Sequence, residues 1–271
     1  MRPTDTNEAL IDNKSPIHPM QVYESERYLN EYLLFHYGEP SDVMAWDFGP
    51  KDAAGFAARC VSECIELPAV GPDARALDLG CAVGRSTFEL ARYCADVTGI
   101  DFSQSFIRAA LEIRKNGHIH FDRIEEGILT TRCKASVPED IDRDRVHFEV
   151  GDALKLRPTL GDFDVVLAAN LLCRLEDPIQ LVLKFPQLLR PGGQLILASP
   201  YSWSRDFTPL PKWLGGYEND GRRYDTFVTL TKFLEGDFDL VRTRELPFLI
   251  REHARKYQWS VSHASVWLRK S

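Results

Sequence analysis

Leu77-Asp78-Leu79-Gly80-Cys81-Ala82-Val83-Gly84-Arg85-Ser86 reads as the end of a buried strand, a tight turn and the first turn of a helix. Ala76 to Leu79 is a short apolar run. Gly80 and Gly84 bracket a turn whose missing side chains let backbone N–H groups approach a ligand, and Phe88, Leu90 and Ala91 begin a helical spacing. The next apolar run closes on Ile100-Asp101-Phe102. An acid about 20 residues beyond the first glycine of such a turn stands at the tip of the second strand, where it hydrogen-bonds ribose hydroxyls. The unit predicts a site for a nucleoside-containing ligand.

The spacing narrows the ligand. A dinucleotide fingerprint, G-x-G-x-x-G, rests a pyrophosphate on a helix N-terminus. Here Gly80 and Gly84 are separated by three residues, Ala82 stands between them, and Asp78 precedes the turn. A carboxylate there repels a pyrophosphate and suits a ligand that carries an ammonium and a cationic sulfur. The pattern resembles the first motif of class I methyltransferases, D-x-G-x-G-x-G, with Ala82 in place of the middle glycine. That resemblance implies S-adenosyl-L-methionine as cofactor and S-adenosyl-L-homocysteine as product, held around Asp78, Gly80, Cys81, Gly84, Asp101 and Phe102.

The 271 residues suffice for one large α/β domain with a sizeable core. A net charge of −7 argues against a nonspecific grip on nucleic acid, which depends on clustered Lys and Arg. No apolar stretch approaches the length of a membrane span, and Met1 to Leu10 lacks a basic region followed by an apolar one, so the expected compartment is the cytoplasm. The six cysteines form no C-x-x-C pair and predict no metal site.

Residues 1–18 read as a flexible arm and 19–271 as one methyltransferase domain, with N-terminal helices over 19–70 and a Rossmann-like core over 71–271. Helices are expected over 23–37 and 51–66, forming a lid. Apolar runs predict strands over 74–79, 96–101, 145–150, 163–169 and 193–199, with helical segments between most of them. Such alternation predicts a doubly wound, mostly parallel sheet with its ligand at the C-terminal strand edge. Ile119-His120-Phe121 and Ile128-Leu129-Thr130 flank Glu125-Glu126-Gly127, an inserted β-hairpin within about 117–145. Two further strands, 237–247 and 257–268, complete the antiparallel pair with which class I methyltransferases end, giving seven strands.

Three strand ends supply more candidates. Asp152 and Ala153 follow Phe148-Glu149-Val150. The resemblance implies an adenine amino group on Asp152 and a ring nitrogen on the Ala153 N–H, while Asp is equally favoured as a helix N-cap. Asn170 and Leu171 end the strand at 163–169, between cofactor and acceptor in this fold; Asn170 orients the nucleophile, binds the methionyl ammonium, or caps the next segment. Phe102 fits either an adenine contact or the core.

Segments outside these motifs carry a narrower resemblance: Tyr32 to Gly38, Ala168 to Leu171, Ser199 to Trp203, Trp213 to Gly216 and Ile250 to Gln258. Together with the glycine turn they resemble the 4-mercaptohistidine N1-methyltransferase family of ovothiol biosynthesis, from about Tyr23 to the end. The resemblance implies methylation of an imidazole nitrogen of 5-thiohistidine to ovothiol A, the substrate coming from a separate sulfoxide synthase. Other small imidazole, carboxylate or phenol acceptors stay open, as does a non-catalytic partner of such a synthase. A free amino acid brings a carboxylate, for which Arg174, Arg251 and Arg255 are candidate forks. Tyr201 and Trp203 fit an imidazole pocket or the core. Tyr23 and Tyr37 are placed to close over cofactor or substrate, and His36 is a candidate base.

Overall fold

The computed structural model describes residues 23–271; the arm expected over 1–18 lies outside them. Along the chain α1 (Glu26–Tyr37), α2 (Pro40–Val43) and α3 (Phe56–Ser62) precede β1 (Arg75–Leu79), α4 (Arg85–Leu90), β2 (Asp96–Asp101) and α5 (Gln104–Asn116). Then come β3 (His118–Glu126), β4 (Leu129–Ser136), β5 (Val146–Val150), β6 (Phe163–Ala169), α6 (Pro178–Val182), α7 (Phe185–Leu188) and β7 (Leu189–Ser199). A ribbon of β8 (Tyr217–Asn219) and β9 (Arg222–Tyr224), α8 (Thr226–Leu234), β10 (Phe238–His253) and β11 (Lys256–Arg269) complete it.

The main sheet has seven strands in the order β10-β11-β7-β6-β1-β2-β5. β7, β6, β1, β2 and β5 run parallel, and β11 is antiparallel to both β7 and β10. This is the doubly wound, mostly parallel sheet that the strand alternation predicts, ending in the antiparallel pair that the resemblance implies, with the order reversing between β1 and β6. Successive side chains of a strand face opposite sides, and the core divides accordingly. Val165 and Leu167 of β6 join the apolar layer of α1, α3, α4 and α5, while Val166 and Ala168 join that of α6, α7 and α8.

Local chemistry sets the helix ends. Ser25 caps α1 by accepting from the Tyr28 N–H at 3.4 Å, and Gly38 and Pro40 stop it. Ser103 caps α5 by accepting from the Phe106 N–H at 3.1 Å. The helix expected over 51–66 is broken. Gly55, at φ +67°, separates a 3-10 turn at Lys51–Ala53 from α3, which ends at Ser62. The inserted hairpin is β3 with β4, which lies within the insertion expected over about 117–145. The ribbon β8–β9 had no counterpart in the sequence reading. No described helix is long and apolar enough to cross a membrane.

Candidate active site

A cavity of about 290 Å³ lies along the C-terminal ends of the parallel strands, where the order reverses. Its floor comes from Gly80 and Ala82 after β1, Asp101 and Phe102 at β2, Asp152 and Ala153 after β5, and Asn170 and Leu171 after β6. Helix α1 and the turn before it roof the cavity with Tyr23, Tyr32 and His36, and β10 and β11 wall it with Phe248, Ile250, Gln258 and Ser260. The sheet order puts the β2–β5 end and the β10–β11 end at opposite sides of the floor.

The β2–β5 end has the donor and acceptor set an adenosine requires. Asp101 accepts from the Ala82 N–H at 2.9 Å through Oδ2 and from the Ser103 N–H at 2.8 Å through Oδ1, so each oxygen keeps a lone pair for a ribose hydroxyl. Burial pushes its carboxyl up to about 6, against the pull of those N–H groups. Phe102 stands 51% exposed at the rim, a flat apolar surface beside the acid. Asp152 accepts from the Leu154 N–H at 2.9 Å through Oδ1 and meets Lys155 at 3.3 Å through Oδ2, so it caps a turn and lines the cavity at once. A Cβ on Gly80, at φ +71°, would sit 3.0 Å from Leu171, so bare backbone is required here. These residues fit S-adenosylmethionine.

Four expected cofactor residues do not line the cavity: Asp78, Cys81 and Gly84 of the turn, and Tyr37 at the end of α1. Asp78 is buried, and its Oδ2 accepts from the Ser86 and Thr87 hydroxyls at 2.7 Å each, pinning α4 to β1; burial pushes it up to about 6. Gly84 serves packing: at φ +85°, a Cβ would sit 2.5 Å from the Phe148 ring. Cys81 is buried with its thiol toward the Ala82 carbonyl, and the Tyr37 hydroxyl donates to the Val83 carbonyl at 2.8 Å. Asp78, Gly84 and Tyr37 hold the turn in place, and Asp78 Oδ1 is buried without a partner among the described residues.

Under the roof, Tyr23 packs edge-on against Tyr32 and against Phe106 of α5, each at 5.9 Å, and reaches both Tyr32 and Arg174 with its hydroxyl. Arg174 donates to the Cys173 and Ser202 carbonyls at 3.2 and 3.1 Å and lies 4.8 Å over the Phe207 ring. Asn170, at φ +54°, accepts from the Ser262 hydroxyl at 2.6 Å. His36 stacks on Tyr32 at 5.8 Å, and burial with the nearby Arg85 charge drives it down to about 3. Its imidazole is held neutral, and its Nδ1 is buried without a partner among the described residues. Burial likewise pushes the Tyr23 and Tyr32 phenols up.

Residues 77–195 match the family described as methyltransferase domain. Over this stretch the chain is similar to known methyltransferases, and it has the class I methyltransferase fold. It is 27% identical over 193 residues to phosphoethanolamine N-methyltransferase 3 of Arabidopsis thaliana, covering 69% of this chain and 34% of that one. It is 26% identical to 2-methyl-6-phytyl-1,4-hydroquinone methyltransferase of Synechocystis, covering 90% of this chain and 66% of that one. The chain thus spans about a third of the plant relative's length. In fold it is similar to the [4+2]-cyclase SpnF, with TM-score 0.55, 17% identity and coverage of 92% and 94%. It is also similar in fold to the N-methyltransferase NodS of Bradyrhizobium japonicum bound to S-adenosyl-L-homocysteine, with TM-score 0.50, 18% identity and coverage of 91% and 100%. A cyclase on this scaffold shows that the acceptor chemistry must be argued from the site.

Three expected acceptor residues are committed elsewhere. Arg251 is 3% exposed; its Nη1 donates to the Asp42 carbonyl at 2.7 Å and its Nη2 pairs with Glu125, so it ties α2, β3 and β10 together. The Tyr201 hydroxyl is bonded to His263 Nδ1 at 2.7 Å, and Trp203 donates to the Thr226 hydroxyl at 2.9 Å while stacking on Trp213. None of the three lines the cavity, because each side chain finds a closer polar partner inside the fold. Arg255 lies 5.1 Å over the Trp46 ring, also outside it. Phe248, Ile250, Gln258 and Ser260 were not read as site residues. Their i, i+2 spacing on adjacent strands was the available signal.

The roof is latched near the adenosine end. Glu24 accepts from the Gln104 and Ser105 N–H groups at 2.9 and 3.2 Å, a carboxylate on the N-terminus of α5, and the Ser103 hydroxyl donates to the Tyr23 carbonyl. Such a contact contributes about 1 kcal/mol. Glu24→Ala should therefore release S-adenosylmethionine about fivefold faster in stopped-flow displacement. An unchanged rate would mean that the latch does not gate the cavity.

Proposed function

We propose that this chain transfers a methyl group from S-adenosylmethionine to an imidazole nitrogen of 5-thiohistidine, giving ovothiol A, with the substrate supplied by a sulfoxide synthase. One observation carries the choice of acceptor. Among the described residues lining the cavity, the carboxylates are Asp101 and Asp152, at β2 and after β5, whereas the guanidinium is that of Arg174, after β6. A protonated amine or a phenol needs a base to free its lone pair, and neither His36 nor the two tyrosines accepts a proton near neutrality. A neutral imidazole already has its lone pair, and the proton that the methylated ring must then lose goes to water after the transfer. Its amino-acid carboxylate suits the Arg174 guanidinium.

S-adenosylmethionine, when bound, supplies a methyl group on a positively charged sulfur, open to in-line displacement at carbon. The chain's residues position and exclude. Asp101, Asp152 and the bare Gly80 backbone fix the donor. Arg174 and Tyr23 fix the acceptor, and α1 keeps water out, so that the reacting atoms are held in line. Asn170 has its oxygen taken by Ser262, which leaves its NH2 end for a ligand acceptor.

Purified protein incubated with S-adenosylmethionine and 5-thiohistidine should yield singly methylated product by mass spectrometry. Product from another acceptor alone would overturn the assignment. Arg174→Met should raise the acceptor KM by about thirtyfold, the loss of a charged hydrogen bond of about 2 kcal/mol, with the cofactor Kd retained. Equal loss of both would make Arg174 a fold residue.

A further inference from the structure

Four residues that wall the acceptor end come from two directly opposed cross-strand pairs, Phe248 with Ser260 and Ile250 with Gln258. Alternate residues of a strand share a face at a spacing of about 6.6 Å, so Gln258, Ser260 and Ser262 form one polar row along β11. The inner end of the row is fixed by the bond from the Ser262 hydroxyl to Asn170. A different device fixes the outer end. Arg251 pairs with Tyr257 and His253 with Lys256, which leaves Glu252 as the extra residue of a β-bulge. Bulges re-aim side chains and recur beside active sites. Here Glu252 accepts from Nε2 of Gln258 at 3.0 Å and pairs with Lys256 at 2.8 Å.

A carboxylate only accepts, so it takes the NH2 end of the Gln258 amide and leaves the carbonyl oxygen for a donor on the bound acceptor. We infer that Glu252 and Gln258 form a positioning pair that accepts the ring N–H of the acceptor and fixes its tautomer. This rests on the imidazole reading given above. A neutral imidazole carries hydrogen on one nitrogen and a lone pair on the other, and the hydrogen bond made by the first decides which is which. With the N–H held at Gln258, the lone pair is confined to the opposite nitrogen, and methylation goes to one ring position. Lys256 and, at 3.9 Å, Arg27 hold Glu252 ionised, while the Glu31 carboxyl faces it from α1.

The test compares wild type, Gln258→Leu and Glu252→Gln on 5-thiohistidine, reading kcat, acceptor KM, cofactor Kd and the ratio of ring-methylated isomers by NMR. Gln258→Leu is expected to lose about tenfold or more in kcat/KM and to give both isomers, with the cofactor Kd within about twofold of wild type. Glu252→Gln, whose new amide lets Gln258 turn either way, should lose about threefold and also mix the isomers. Gln258→Glu places two carboxylates together and should be as poor as the leucine variant at pH 8. It should recover toward pH 6, where the new carboxyl can donate to Glu252. A single isomer at the wild-type rate from Gln258→Leu overturns the pair and leaves the imidazole reading standing. A wild-type protein that leaves 5-thiohistidine unmodified overturns the reading itself.

Discussion

Replacing Asp101 with Ala is expected to weaken S-adenosylmethionine binding by about two orders of magnitude or more in calorimetry. Hydrogen bonds to a charged group contribute about 1.5 to 3 kcal/mol each, and two ribose hydroxyls would lose theirs. Asp101 is suited to the role because its two backbone donors already orient the carboxylate and leave one lone pair per oxygen toward the cavity. An unchanged Kd would reject the assignment. The variant's melting temperature must be followed as well, since the Ala82 N–H loses its acceptor in a turn already strained at φ +48°.

The same residue gives a pH dependence of opposite sign for stability and for binding. Its carboxyl is raised from an ordinary 3.8 to about 6, and Asp78 is raised likewise. For such groups the folded state binds more protons than the unfolded one between those values. Their stabilisation is fully present below about pH 4 and is lost as pH rises through about 6. The ligand-free protein is therefore burdened by two desolvated charges at neutral pH. Ribose hydroxyls donate to the ionised form, so cofactor affinity should rise over that same interval. The gain in melting temperature on adding S-adenosylmethionine should be larger at pH 7.5 than at pH 5, and an equal gain would detach Asp101 from the ligand.

What the sequence made legible follows from how local each feature is. Strand runs, the glycine turn and the acids at strand tips are set within a few residues, and Asp101, Phe102, Asp152, Ala153 and Asn170 all reach the cavity wall. Asp78 and Gly84 belong to the same motif, yet whether a motif residue faces the ligand or supports the turn depends on the α4 hydroxyls and on Phe148, which the motif does not contain. Arginine was the hardest residue to place. Arg174 and Arg251 are alike as sequence; one follows β6 into the cavity, and the other finds Glu125 and the Asp42 carbonyl, 126 and 209 positions away along the chain. The acceptor wall on β10 and β11 needed the register of two long strands.

Arg251→Met should consequently act on the fold before it acts on catalysis. The guanidinium, with 1% of its side chain exposed, spans α2, β3 and β10, and its removal takes one donor each from the Asp42 carbonyl and the Glu125 carboxylate, both of which keep Arg123. Breaking a buried pair from one side costs about 3 kcal/mol, and Met refills only part of the volume. At this chain length that is a fall of about 6 to 12 °C in melting temperature. Glu125 keeps Arg123 at 2.8 Å, which holds the loss at the lower end of the range for buried pairs. The double variant Arg251→Met with Glu125→Gln should lose less than the sum of the two single changes, because neither partner is then left charged without the other. Acceptor KM should rise in step with the loss of stability, since Arg251 sits between Ile250, which walls the cavity, and Glu252, which holds Gln258. A substrate-binding arginine gives the opposite pattern: a higher acceptor KM at an unchanged melting temperature. That result would return Arg251 to the active site and require the buried pair with Glu125 to open when the acceptor binds.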